Sequence, residues 1–141
     1  MSLHQKLMDD AYNSWGDNAS YETFVDSLDE KHQLAVLTGN LNYQVENGGF
    51  VQWDINEYIS KIDLLIELLK KHNVGKNGKI VIEILEVVKD SKEDLEQIRE
   101  YDDEYEEEEE NYYEVIGMYD TEYYKVGNGF LKEVEEKLKK M

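Results

Sequence analysis

The charge of this chain is gathered in one place, and that limits how the chain can fold. Between Asp90 and Tyr124 stand sixteen Asp and Glu against two bases, Lys92 and Arg99, which is −14 of a total formal charge of −18. The same window holds seven of the eleven tyrosines. Unpaired carboxylates resist burial, so this quarter of the chain must keep one side in water and use its aromatics to cover the core. Outside the window, acids and bases are nearly balanced.

The 141 residues, 40% of them hydrophobic, suit one domain with a real core spanning 1–141. There is no proline and no cysteine. Lack of proline leans toward helices, and lack of cysteine removes disulfides and thiolate metal sites. The first residues, Met1 to Gln5, lack the basic and apolar regions of a signal peptide, and no apolar run reaches spanning length. A cytoplasmic protein without membrane contact is expected. Its negative charge repels nucleic acid and anionic lipid, so no direct nucleic-acid binding is expected and a macromolecular partner should be basic.

Helical periodicity runs through most of the chain. Leu3, Leu7, Met8, Ala11, Tyr12 and Trp15 predict a helix over 3–15. Asn18 or Ser20 can cap a short turn carrying Tyr21, Phe24, Val25 and Leu28. Asp29 caps a helix over 30–46 whose inner stripe is Leu34, Leu37, Leu41 and Val45, stopped by Asn47-Gly48-Gly49. Ile62, Leu65, Ile66 and Leu69 form another helix, ending in Lys70, Lys71 and His72, cations suited to a C-terminus. Residues 79–89 have the β-branched content of a strand, but a lone strand has no partner, so a helix is expected. A final helix starts at Asp120-Thr121, with Gly127 and Gly129 weakening its middle by about 1 kcal/mol each. The expected fold is therefore all-α, one compact domain of six or seven helices. Its core should contain Leu37, Leu41, Val45, Phe50, Trp53, Leu65, Leu69, Ile84, Val88 and Phe130.

The acidic segment predicts a long helix from Ser91, as N-cap, to Tyr113. Glu96, Glu100, Asp103, Glu107, Glu110 and Glu114 succeed one another at spacings of 4, 3, 4, 3 and 4, which is one helix face. Ile98, Tyr105 and Tyr112 fall on the opposite face, with Leu95 and Tyr101 beside them. Repulsion between acids four apart costs about 0.2–0.5 kcal/mol per pair, so Glu106–Glu110 can instead be a solvated loop or a frayed turn.

Catalytic and metal chemistry finds little support. There is no nucleophile elbow, phosphate loop or His-Glu-x-x-His, and Asp29-x-x-His32 is a spacing common by chance. No enzyme activity, cofactor or metal is expected.

One compact motif remains: Asn47-Gly48-Gly49-Phe50-Val51-Gln52-Trp53. Read structurally, it stops a helix, turns, and drops two aromatics into the core, with Gln52 and Asn56 free to satisfy backbone groups. This motif, the Leu41–Glu46 segment before it, the Leu64–Val88 helix pair after it, and Tyr119-Asp120-Thr121-Glu122-Tyr123-Tyr124 together resemble the DNA-mimic-protein family over about residues 30–140. The resemblance implies an all-helical domain. It also implies carboxylates presented like DNA phosphates to a basic DNA-binding protein, such as a repressor or a histone-like protein. The acidic run is no part of the motif that carries the resemblance; on charge spacing alone, the six spaced acids are the expected charge bearers, with Tyr101 and Tyr105 supplying contact area, while Asn47, Gly48, Gly49, Phe50, Gln52 and Trp53 serve the fold. The alternative is a helical protein-interaction domain whose acidity only aids solubility. A homodimer stays open.

Overall fold

The computed structural model describes residues 1–17 and 19–141; the Asn18 alternative for the second cap lies outside them. The described residues form seven α-helices and one 3-10 turn, with no strand: α1 (Leu3–Asn13), α2 (Tyr21–Asp26), α3 (Glu30–Ile55), the turn Tyr58–Lys61, α4 (Ile62–Lys71), α5 (Lys76–Tyr101), α6 (Glu106–Gly117) and α7 (Asp120–Lys140). The fold is all-α, as the periodicity predicts. All ten expected core residues are buried.

The middle helix explains the architecture. In α3, every residue from Leu34 to Leu41 is buried, not only the predicted stripe. A helix apolar on all sides has to be surrounded, and α1, α4, α6 and α7 all pack against it. Thr38 tolerates this because its hydroxyl bonds back to Leu34 O at 2.7 Å and meets His4 Nε2 at 2.9 Å. Asp29 and Ser20 are the N-caps of α3 and α2, accepting from His32 N and Thr23 N. Tyr12 of α1 stacks on Phe24 of α2 with ring centroids 5.5 Å apart, and Trp15, just past α1, stacks on the same ring at 4.3 Å.

Three boundaries differ from expectation. The first helix ends at Asn13, two residues early. Asn47-Gly48-Gly49 does not end α3 but bends it: Gly49 alone is non-helical, at φ 77° and ψ −177°, and the helix resumes to Ile55. Finally, the helix of residues 79–89 runs straight into the acidic segment as α5. Ser91 is therefore interior rather than an N-cap, and the break comes at 102–105.

Carboxylates of the last helix, α7, cap the starts of α1 and α5 and the restart of α3 after its bend. Exposed N–H groups at a helix start attract carboxylates. Glu135 accepts from Leu3 N at 2.8 Å and His4 N at 3.2 Å, at the start of α1. Glu133 accepts from Asn77 N at 3.1 Å and Gly78 N at 2.8 Å, at the start of α5. Asp120 accepts from Phe50 N at 2.9 Å, where α3 restarts after its bend. The glycines of α7, expected only to weaken it, allow close packing. Gly127 is buried, and a Cβ there would press on the Tyr123 ring and Asn42 Oδ1.

Candidate acidic interface

The acidic segment is a hairpin of two helices, not one rod. At 102–105 the chain turns, with Asp102 Oδ1 accepting from Glu104 N at 2.9 Å, and α6 folds back along α5. Tyr112 and Ile116 are the buried residues of α6, and Leu95 is their buried counterpart on the acidic half of α5. The turn also settles the fate of Glu106–Glu110. They are helical, and Glu106 to Glu109 occupy the first turn of α6. There the helix dipole favours negative charge, whereas in a rod they would sit well past its middle.

The six spaced acids are all exposed, but the structure does not place them on one face. Glu96 and Glu100 belong to α5, Asp103 to the turn, and Glu107, Glu110 and Glu114 to α6. On α6, at about 100° per residue, Glu107 and Glu114 nearly coincide, Glu110 lies beside them, and all three point away from Ile116. Of the expected inner residues, Tyr112 is buried while Ile98 and Tyr105 are half-buried. Tyr101, at the end of α5, is 88% exposed.

The two bases of the window face inward. Lys92 Nζ lies 3.0 and 3.2 Å from the carboxylate oxygens of Asp54, whose side chain is 3% exposed, and 5.3 Å from the Tyr112 ring centre. Tyr112 Oη is buried without a hydrogen bond, and burial, aided by the nearby Asp54 charge, raises its pKa. Arg99 pairs with Glu109 across the hairpin, and its guanidinium carbon sits 5.1 Å over the Tyr105 ring. The Glu109 bond raises the Arg99 pKa despite partial burial. Among the described residues, Glu93 and Glu109 are the only acids of the sixteen within 4.0 Å of a cationic side chain. The acidic surface is therefore left uncompensated by the protein's own cations.

Lys92, Arg99 and Asp54 fix this surface, yet they form no motif in the sequence. Their signal there is only isolation: two bases alone in an acidic run, and one acid between Trp53 and Ile55.

The glycine motif joins the start of α7. Asn42 Oδ1 accepts from Tyr123 Oη at 2.7 Å, and Val45 O from Tyr124 Oη at 3.1 Å. Phe50 and Tyr123 meet edge to face at 6.0 Å, and Trp53 meets Phe50 the same way at 6.2 Å. Gln52 and Asn56 do not serve backbone groups as expected; both donate to Gln44 Oε1, at 2.9 and 2.8 Å. Asn47 donates to Tyr43 O at 2.9 Å, and Gly48 leaves room for the Gln52 side chain. Three of the four segments that carry the family resemblance, Leu41–Glu46, the glycine motif and Tyr119–Tyr124, thus form one joint. His32 lies between Asp10 and Asp29, at 2.7 Å from each.

No helix among the described residues is long and apolar enough to cross a membrane. No curated protein and no solved structure matches the chain. The family described as DMP19-like protein matches residues 26–139, covering both halves of the glycine joint and the whole acidic hairpin. The chain belongs to the DMP19-like protein family.

Proposed function

We propose that this protein is a non-enzymatic DNA mimic that occupies a basic DNA-binding protein, a repressor or a histone-like protein, through the α5–α6 hairpin. The observation that carries the reading is the inward use of Lys92 and Arg99, which leaves the outer carboxylates free for cations from elsewhere. Glu96 and Glu100 are separated by about 6 Å along α5, and Glu107, Glu110 and Glu114 by about 4.5 and 6 Å along α6. A DNA strand rises about 3.4 Å per phosphate, so these intervals correspond to one or two phosphates. Such a field steers a basic protein and replaces the contacts its Lys and Arg make with DNA.

Titration of the full chain into a purified histone-like protein tests this. A complex should form at low salt and lose about tenfold or more in affinity between about 50 and 200 mM salt. That is less than the ~10³ seen for six phosphates, because carboxylates on a protein condense fewer counterions. Replacing the six spaced acids by Gln should abolish binding, and duplex DNA should compete. Absence of a complex at low salt refutes the reading. Unchanged binding by the six-Gln chain supports the other one, an interaction domain whose acids only aid solubility.

A further inference from the structure

Ile98 lies on the side of α5 away from Glu96 and Glu100, and with it lies a surface the spaced acids do not use. Leu95 and Ile98 of α5 face Tyr112 and Val115 of α6 across a groove of about 240 Å³. The groove continues past Ile98 to the exposed Tyr101 at the hairpin end. Its floor is apolar and partly open, with Val115 at 39% exposure. Its rim carries Asp94, Asp102 and Glu108, and no Lys or Arg lines it. From Ser91 to Tyr101 the groove runs about 15 Å, the length of a ten-residue helix.

We propose that this groove seats a basic amphipathic helix of a partner protein, with aliphatic side chains on the Leu95–Ile98–Val115 floor and Lys or Arg on each side reaching the rim. An apolar helix face entering a matching groove is a common recognition mode, and the acid rim sets the sign of the flanking charges. The rim argues against other occupants. A second copy brings the same acids and a charge of −18, and nucleic acid or anionic lipid is repelled likewise. This goes beyond phosphate mimicry, which has no use for an apolar floor. None of Asp94, Asp102 and Glu108 is among the six spaced acids, so the two surfaces can be tested separately.

Two synthetic helical peptides of equal length and Lys content test the groove. One has two Leu four residues apart on one face; the other has Gln there. By fluorescence anisotropy with the full chain, the Leu peptide should bind about tenfold tighter at both about 0.1 M and about 1 M salt, since apolar burial is not screened. Ile98→Ser and, separately, the more exposed Val115→Ser should each remove most of that preference. If Ile98→Ser fails to fold by circular dichroism, Val115→Ser decides. The six-Gln chain should bind both peptides more weakly at low salt and keep the Leu preference. Equal binding of the two peptides, or a Leu preference that survives in folded Val115→Ser, overturns the proposal. Neither result bears on the histone-like complex, whose loss would leave the peptide preference standing.

Discussion

Gly49→Ala should be among the most damaging single-methyl additions in this protein. Gly49 sits at φ 77° and ψ −177°, a region essentially reserved for glycine. Forcing alanine there costs about 1–3 kcal/mol in backbone strain. The new Cβ would also overlap the Asp120 carboxylate, which accepts from Phe50 N at 2.9 Å. Displacing that side chain leaves the buried Phe50 N–H without its acceptor, at a cost of about 1–3 kcal/mol. Reduced freedom of alanine in the unfolded chain returns about 0.4–1 kcal/mol. The net loss is about 3 kcal/mol, a large share of the ~5–15 kcal/mol typical of a domain, and about 10 °C in Tm. Urea unfolding followed by circular dichroism measures it. Asp120→Ala should cost about 1–3 kcal/mol alone, and the double variant should cost less than the sum by about 1 kcal/mol or more, because both changes break one contact. Burial raises the Asp120 pKa more than the Phe50 N–H lowers it. The protonated group is therefore the better accommodated one, and its contribution is greatest at acid pH and declines as pH rises through the raised value. Asp120→Asn keeps an acceptor, should cost under about 1 kcal/mol, and should remove that decline. A Gly49→Ala protein within about 0.5 kcal/mol of the parent, or an additive cycle, would refute the reasoning.

Further variants probe paired charges. Both ring nitrogens of His32 lie 2.7 Å from carboxylates, Asp29 and Asp10, a geometry that only the doubly protonated ring satisfies. Burial lowers the His32 pKa, but the two bonds outweigh it and the result lies above 6.5. Its stabilisation is thus full below about 6.5 and lost as pH rises through the folded value, and His32→Gln should flatten that loss in urea midpoints taken across pH. Burial instead lowers the His4 pKa against the pull of Glu135, so its share is present above about 6.5 and lost on acidification. Lys92→Met leaves Asp54, 3% exposed, without its cation and should cost about 3 kcal/mol or more by urea unfolding. Asp54→Asn in the same chain should recover much of that loss.

Where the sequence is readable, the interactions are local. The Asp29 and Ser20 caps bond within three residues, and the apolar repeats of α4 and α7 declare their inner faces directly. The glycine motif reads as a stop in the sequence, because the restart of the helix after Gly49 depends on Asp120, seventy residues away from Phe50. A glycine normally ends a helix by turning left-handed so that the N–H groups after it cap the last carbonyls. Here a remote carboxylate takes up a backbone N–H on the far side, so the chain bends and continues. The acidic segment departs from expectation differently. Its identity as an exposed surface is plain from composition, and all six spaced acids are exposed. The 4-3-4-3-4 spacing, however, is a face only while the helix is unbroken, and residues 102–105 leave it. Periodicity carries on through such a break in the sequence while its spatial meaning resets. The break itself has a physical cause visible only in three dimensions. Folding back buries Tyr112 and Ile116, pairs Arg99 with Glu109, and moves four glutamates from the far half of a rod to the first turn of a new helix. That exchange turns the strongest local objection to helix in the run, its own repulsion, into a favourable placement at the α6 N-terminus.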